Sequence, residues 1–356
     1  MIQKTIIGSL EKAYAVAPLR CRGKQHFLVA SELDRPCLLF DAEGRQVDTV
    51  WERPGGVMSM VQVPGTDGQF LTTHRFYSFN DAADAVISVV TPRSPGNWEI
   101  RTLAKLPYVH RIDIVERDGI RYLIACQLKS GQEYDNDWRF PGAVYAAVLP
   151  DDLSGFHDMR PLELTPILDQ LPRNHGYSCY RESGITHCLI SSDAGILSLT
   201  PPEHIGGDWK AVLLTPDPAS DAALADLDGD GSPELVAIAP FHGDRLRVYH
   251  RTDQTDREDR ETGVFERCFE YDRALPFLHG FYVGEFCGRP SIIAGNRSGD
   301  RELLCFTYDP AGKSYFPALL DQGVGPANVM VCRYQGKDLL ISANREIDEI
   351  AMYFDE

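Results

Sequence analysis

Short apolar runs recur along the chain, each meeting a second apolar run across a tight polar turn. Tyr14-Ala-Val-Ala returns as Phe27-Leu-Val-Ala across Arg22-Gly23-Lys24, and Val57-Met-Ser-Met-Val-Gln-Val returns from Phe70 across Thr66-Asp67-Gly68. Val109-His-Arg-Ile-Asp-Ile-Val pairs in the same way with Tyr122-Leu-Ile-Ala-Cys across Arg117-Asp118-Gly119. Four further units follow, starting at His175, at Ala222, at His279 and at Asn328. Runs of this length bounded by glycine turns read as strands, and the spacing of about 50 residues between units reads as a repeat of small sheets. The pattern predicts an all-β chain folded as a seven-bladed β-propeller. Its blades fall near 14–56, 57–108, 109–174, 175–219, 220–277, 278–326 and 327–356, the last completed by 1–13. That last unit holds only three strands of its own, so the segment Gln3-Lys-Thr-Ile-Ile-Gly-Ser-Leu10 is expected to pair beside 347–353 and close the ring, removing a free edge. A β-sandwich or two smaller β domains is the alternative; the absence of a Pro/Gly/Ser-rich divide favours one ring.

Two inserts interrupt the blades. One, 129–142, lies in blade three; the other, 151–174, carries Leu and Ile at helix-like spacing over 162–171. Excursions of this size on a rigid scaffold form lids or substrate walls, or are simply solvated. The charged run 252–261 reads as an outer hairpin.

Composition narrows the partners. The 356 residues are 43% hydrophobic and 10% aromatic, enough for a large core, and carry a net charge of −17. Phosphate binding wants the opposite sign, so nucleic acid is not an expected partner. Nine cysteines, without close-set pairs, suit reduced thiols. No basic-then-apolar leader and no apolar run of about 18 residues is present, so neither export nor a membrane partner is expected, and the cytoplasm is the expected location.

The stretch Asp226-Leu-Asp-Gly-Asp-Gly-Ser-Pro-Glu234 sits between two apolar runs. Side-chain oxygens at Asp226, Asp228, Asp230 and Glu234, with the Ser232 carbonyl, alternate along it. Gly229 and Gly231 permit the positive-φ turns that wrap such a loop around one hard cation. A helical calcium loop would continue further before its closing Glu; here the acid comes at once and a strand follows. The expectation is a structural Ca²⁺ on a β-hairpin, with a chance acidic turn as the alternative.

Candidate chemistry gathers where innermost strands begin, since those starts ring the channel on the same face as the second-to-third loops. The starts give His110, His175, Asp221, His279 and Asn328. The loops give His74, Arg75, Lys129, Asp193, His242, Arg297 and Arg345. Arginines grip carboxylates or hydroxyl pairs, and neutral imidazoles exchange protons or bind a transition metal. His110, His175, Tyr177, His242 and His279 are the expected catalytic groups, with His74, Arg75, Lys129, Arg297, Asn328 and Arg345 as substrate contacts. At least two of His175, His242 and His279 are expected to share Zn²⁺ or Mn²⁺. Singly, each such histidine can equally well hydrogen-bond a neighbouring blade. No Gly-x-Ser-x-Gly element, phosphate loop or dinucleotide fingerprint is present.

The acidic loop resembles the FG-GAP/VCBS repeats of β-propellers. Together with Phe241-His242-Gly243 and the channel histidines, it is similar to the aldos-2-ulose dehydratase and anhydrofructose dehydratase propellers, and more distantly to propeller-type polysaccharide lyases. That resemblance implies a carbon–oxygen lyase acting by β-elimination on a keto-sugar or uronate derivative, with a small sugar or oligosaccharide as substrate. A non-catalytic propeller that binds a glycan or a protein is the alternative. The oligomeric state is left open by the sequence.

Overall fold

Five innermost hairpins turn on an X-Gly pair with both residues at positive φ: Arg22 and Gly23 (54° and 70°), Asp118 and Gly119, Ser183 and Gly184, Cys287 and Gly288, Gln335 and Gly336. This is the two-residue turn whose twist matches that of paired strands, and glycine at its second position avoids a Cβ clash. The computed structural model describes residues 2–252 and 264–355, so most of the charged run 252–261 lies outside the described residues.

Each unit folds as a four-stranded antiparallel sheet, and seven such sheets make the ring. Blade one runs from Ala13–Cys21 outward to Gln46–Trp51, blade two from Met60–Gln62 to Asn97–Lys105, and blade three from Val109–Arg117 to Thr165–Leu171. Blades four, five and six run from Gly176–Glu182 to Lys210–Thr215, Asp221–Ala225 to Val264–Glu270, and Leu278–Phe286 to Ser314–Asp321. Blade seven takes Asn328–Tyr334, Lys337–Asn344 and Glu349–Asp355, and its outer strand is Ile2–Ser9. The pairing runs antiparallel from Ile2 with Asp355 to Ser9 with Glu349. Lys4 Nζ secures this seam with 2.7 Å contacts to Asp321 of blade six and to Glu349.

The second strand of each blade is its most buried layer. Leu28, Ile124, Ile190, Ile238, Ile293 and Ile341 are almost wholly enclosed, and burying each such side chain contributes roughly 1.5–3 kcal/mol. Two local expectations are corrected. The helix-like spacing over 162–171 belongs to an outer strand, Thr165–Leu171, paired to Pro141–Val148. Blade three needs that fourth strand, and Pro166 removes a helical donor. The first strand of blade two is Met60–Gln62, later than 57: Thr73 Oγ1 takes the Met58 and Ser59 amides, while the Thr73 amide still bonds the Ser59 carbonyl. Among the described residues no helix is long and apolar enough to cross a membrane.

Candidate metal and substrate site at the channel mouth

A single backbone position, repeated from blade to blade, builds the site. In blades one, three and six the register between first and second strands shifts at Tyr14, His110 and His279, as a β-bulge does. The corresponding residues His175, Ser220 and Ala327 stand just before their strands, each amide bonded to the second strand. Met58 precedes the short first strand of blade two. Tyr14, Met58, His110, His175 and His279 line one cavity of about 230 Å³.

The histidines at this position link successive blades. His110 Nδ1 lies 3.2 Å from the His175 carbonyl, His175 Nδ1 lies 3.1 Å from the Ser220 carbonyl, and His279 Nδ1 contacts the Ala327 carbonyl. A carbonyl only accepts, so each Nδ1 carries the proton and each Nε2 keeps its lone pair. Gly176 permits the close approach: a Cβ there would sit 2.4 Å from the Ser220 oxygen. Asp221 Oδ2 adds a second acceptor for His175 Nδ1 at 3.1 Å. An imidazole whose far nitrogen donates to a carbonyl or carboxylate is the arrangement that orients metal-ligating histidines.

His242 completes a trio from the second-to-third loop of blade five. It adopts φ of 48°, and its ring stacks on Phe241 at 3.9 Å. His175, His242 and His279 each offer a ligand atom, all within 4.8 Å of one another. His175 Nε2 is buried without a hydrogen-bond partner, an orphaned lone pair of the kind that a cation satisfies. Burial, then Arg297 and the neighbouring imidazoles, holds His279 well below the usual histidine range. His242 is pushed down to about 2, by burial first and His175 next. These rings are therefore neutral, the form that binds metal. His110 also stays neutral, chiefly through burial, and stacks 4.4 Å from His175 at the edge of the trio.

The sequence-predicted substrate contacts divide. Arg297 and Arg345 line the cavity, but each is engaged: Arg297 Nε donates to Glu346 at 3.0 Å, and Arg345 pairs with Glu32 and Glu346. The others fall outside the residues that line it. His74 is buried against Trp51 with Nδ1 on Ser88 Oγ at 2.9 Å. Arg75 is exposed. Asn328 Nδ2 donates to the Tyr14 carbonyl at 3.0 Å, joining blade seven to blade one. Lys129 is fully buried, its Nζ 2.6 Å from Gln132 Oε1 and 5.0 Å from the Trp138 ring centre. It thus anchors the 129–142 insert, and Trp138 of that insert packs against Phe79 and Phe241 at the mouth. Tyr177 sits between blades three and four, donating to Asp113 Oδ2 at 2.9 Å, outside the residues that line the cavity.

Several lining residues escaped the sequence reading: Tyr14, Glu32, Phe76, Phe79 and Phe277. Tyr14 occupies the repeated position, so extending the rule to blade one finds it. The phenylalanines lie on loops whose course no spacing reveals.

Across the molecule, the acidic hairpin joins Asp221–Ala225 to Glu234–Ala239. Carboxylate oxygens of Asp226, Asp228 and Asp230 fall within 4.8 Å of one another, as do ligand atoms of Asp228, Glu234 and His250. Glu234 Oε2 accepts the Leu227 amide at 2.7 Å, and Ser232 gives its amide to Asp230 Oδ1. Burial, with Asp228 and Asp230 adding repulsion, raises the Glu234 carboxyl above its usual range.

No family model matches this chain, and no curated protein does. Solved propellers resemble it in fold. A putative 6-phosphogluconolactonase from Bacteroides fragilis superposes with a TM-score of 0.59 at 12% identity, covering 97% of this chain and 91% of that one. The Cps50 (Swd1) β-propeller domain of Myceliophteria thermophila gives 0.57 at 11% identity over 98% and 99%. A second putative 6-phosphogluconolactonase, from Bacteroides uniformis, gives 0.51 at 14% over 94% and 89%.

Proposed function

We propose that the channel mouth is the active site of a metal-dependent carbon–oxygen lyase acting on a small sugar. The convergence of His175, His242 and His279, with the orphaned His175 Nε2 among them, carries this reading. Three converging imidazoles suit Zn²⁺ or Mn²⁺ better than Mg²⁺, and three protein ligands leave a position for substrate. A bound divalent ion would supply Lewis acidity that stabilises negative charge on a substrate carbonyl oxygen.

The chain's own residues supply the rest. His110 Nε2 takes the proton from the carbon beside the carbonyl; the freed pair forms the carbon–carbon double bond as the β C–O bond breaks. The same proton returns to the departing hydroxyl, so one water leaves and one double bond forms. The low basicity that burial imposes on His110 favours that return, and it requires a C–H already acidified by its carbonyl. Phe76, Phe79 and Phe277 offer faces to sugar C–H groups and exclude water. Because Glu32 and Glu346 neutralise Arg345 and Arg297, the cavity favours a neutral keto-sugar over a uronate. The size, about 230 Å³, suits one sugar unit. The acidic hairpin is read as a structural Ca²⁺ loop, remote from this chemistry.

The test joins elemental analysis of the purified protein to an ultraviolet screen for unsaturated products on keto-sugars and uronides. Expected are about one transition metal per chain and turnover that His175→Ala and His279→Ala abolish while the ring stays folded. Full activity without metal excludes the mechanism. Sugar binding without product, on a metal-free protein, supports the non-catalytic propeller instead.

A further inference from the structure

Two non-histidines at the repeated channel position reach the imidazole trio: Ser220 Oγ lies 3.2 Å from His175 Nδ1, and the Tyr14 hydroxyl lies 3.1 Å from His279 Nε2. His279 Nδ1 is committed to the Ala327 carbonyl, so Nε2 accepts and the phenol donates. The trio is therefore asymmetric. His175 Nε2 has no hydrogen-bond partner, whereas His279 Nε2 already accepts the Tyr14 hydroxyl. Tyr14 is held in place from both ends, its carbonyl by Asn328 Nδ2 at 3.0 Å and its ring edge-on to His279 at 5.4 Å. It is 3% exposed, so water does not compensate a broken bond there.

We infer that Tyr14 is a competitor for the metal position on His279, and that it couples metal uptake to ligand binding. This rests on the three-imidazole reading above. One lone pair cannot serve a hydroxyl and a cation together, so uptake displaces the phenol. A buried hydroxyl left without a partner is costly, and the free space beside Tyr14 is the substrate cavity. The displaced hydroxyl is satisfied by an oxygen of a ligand bound there. A polyol or keto-sugar supplies that oxygen; an apolar molecule does not. Linkage then makes the effect reciprocal: the sugar tightens the metal and the metal tightens the sugar. Tyr14 acts here as a positioning residue for the metal and as a donor to the sugar.

Co²⁺ titration of the full chain, followed by visible absorption, tests this with Tyr14→Phe, which keeps the ring and removes only the hydroxyl. Loss of one competing hydrogen bond, about 1 kcal/mol, predicts Co²⁺ binding about fivefold tighter than wild type. A keto-sugar that tightens Co²⁺ binding in wild type should tighten it less in the variant, because only the coupling through the ion itself remains. Tyr14→Met, also without the hydroxyl, serves the same measurement where Phe perturbs folding. Unchanged Co²⁺ affinity makes Tyr14 a structural bystander, and weaker affinity makes it a ligand; either overturns the inference and leaves the metal site standing. A wild-type chain that binds no Co²⁺, Zn²⁺ or Mn²⁺ overturns the three-imidazole reading itself, and this inference with it.

Discussion

His110 Nδ1 donates to the backbone carbonyl of His175 across 3.2 Å, so one channel histidine fixes the strand start that carries the next. Removing the donor leaves that carbonyl buried and unpaired. His110→Ala should therefore cost about 1–3 kcal/mol in urea unfolding. It should keep its metal, since His110 is outside the trio, and lose turnover as the proposed base. A variant that folds, keeps its metal and turns over at the wild-type rate would remove His110 from the mechanism.

Asp113 gives a pH signature unrelated to catalysis. Burial pushes its carboxyl up from 3.8 to about 6, against the opposing hydrogen bond from Tyr177. Between those values the folded chain holds a proton that the unfolded chain has released, so stability from this group falls as pH rises from about 4 through 6. Asp113→Asn lacks that loss. Its stability relative to wild type should rise between pH 4.5 and 7.5 by about 2 kcal/mol, measured by urea melts at both values. Parallel profiles would show that the carboxyl does not titrate in this window.

The acidic hairpin predicts a calcium-dependent melting temperature. Ca²⁺ at about 100 times its dissociation constant stabilises by roughly 2.7 kcal/mol, because it binds only the folded chain. Asp228→Ala should abolish the difference between calcium and chelator melts while leaving activity per folded molecule unchanged. An equal calcium shift in the variant argues against the loop as the site.

The seam is testable by truncation. Without residues 1–9 the strand Glu349–Asp355 becomes an open edge and Lys4 no longer bridges Asp321 and Glu349. Gel filtration should then show concentration-dependent association, as unpaired edges recruit other chains, and the melting temperature should fall by at least several degrees. A monomeric, equally stable truncation would show that the closing strand is dispensable.

The ring was legible because its signals are local: glycine at the second turn position and apolar runs on either side. The channel histidines were legible through the same register, since His110, His175 and His279 stand at innermost strand starts and His242 on a second-to-third loop of the same face. Lys129, His74 and Tyr177 were misplaced for a shared reason. Sequence places a residue on a face of the ring, but its direction depends on whom it packs against: Trp138 and Gln132, Trp51 and Ser88, or Asp113. Glu32 and Glu346 could not be anticipated as the neutralising partners of Arg345 and Arg297, because such contacts join blades one, six and seven.

The pairing of Ile2 with Asp355 sets an order of events during synthesis. The outer strand of blade seven precedes blades one to six in the sequence and waits, unpaired, until Glu349–Asp355 has been made. Blades one to six assemble from consecutive strands, whereas this last sheet joins a strand from before blade one to three that follow blade six. Loop closure over such a span is slow, and the channel mouth shares its fate. Tyr14 follows the waiting strand, and the Ala327 carbonyl that orients His279 precedes the final one. The channel-mouth pocket, lined by Tyr14 and His279, is thus finished only when the ring closes.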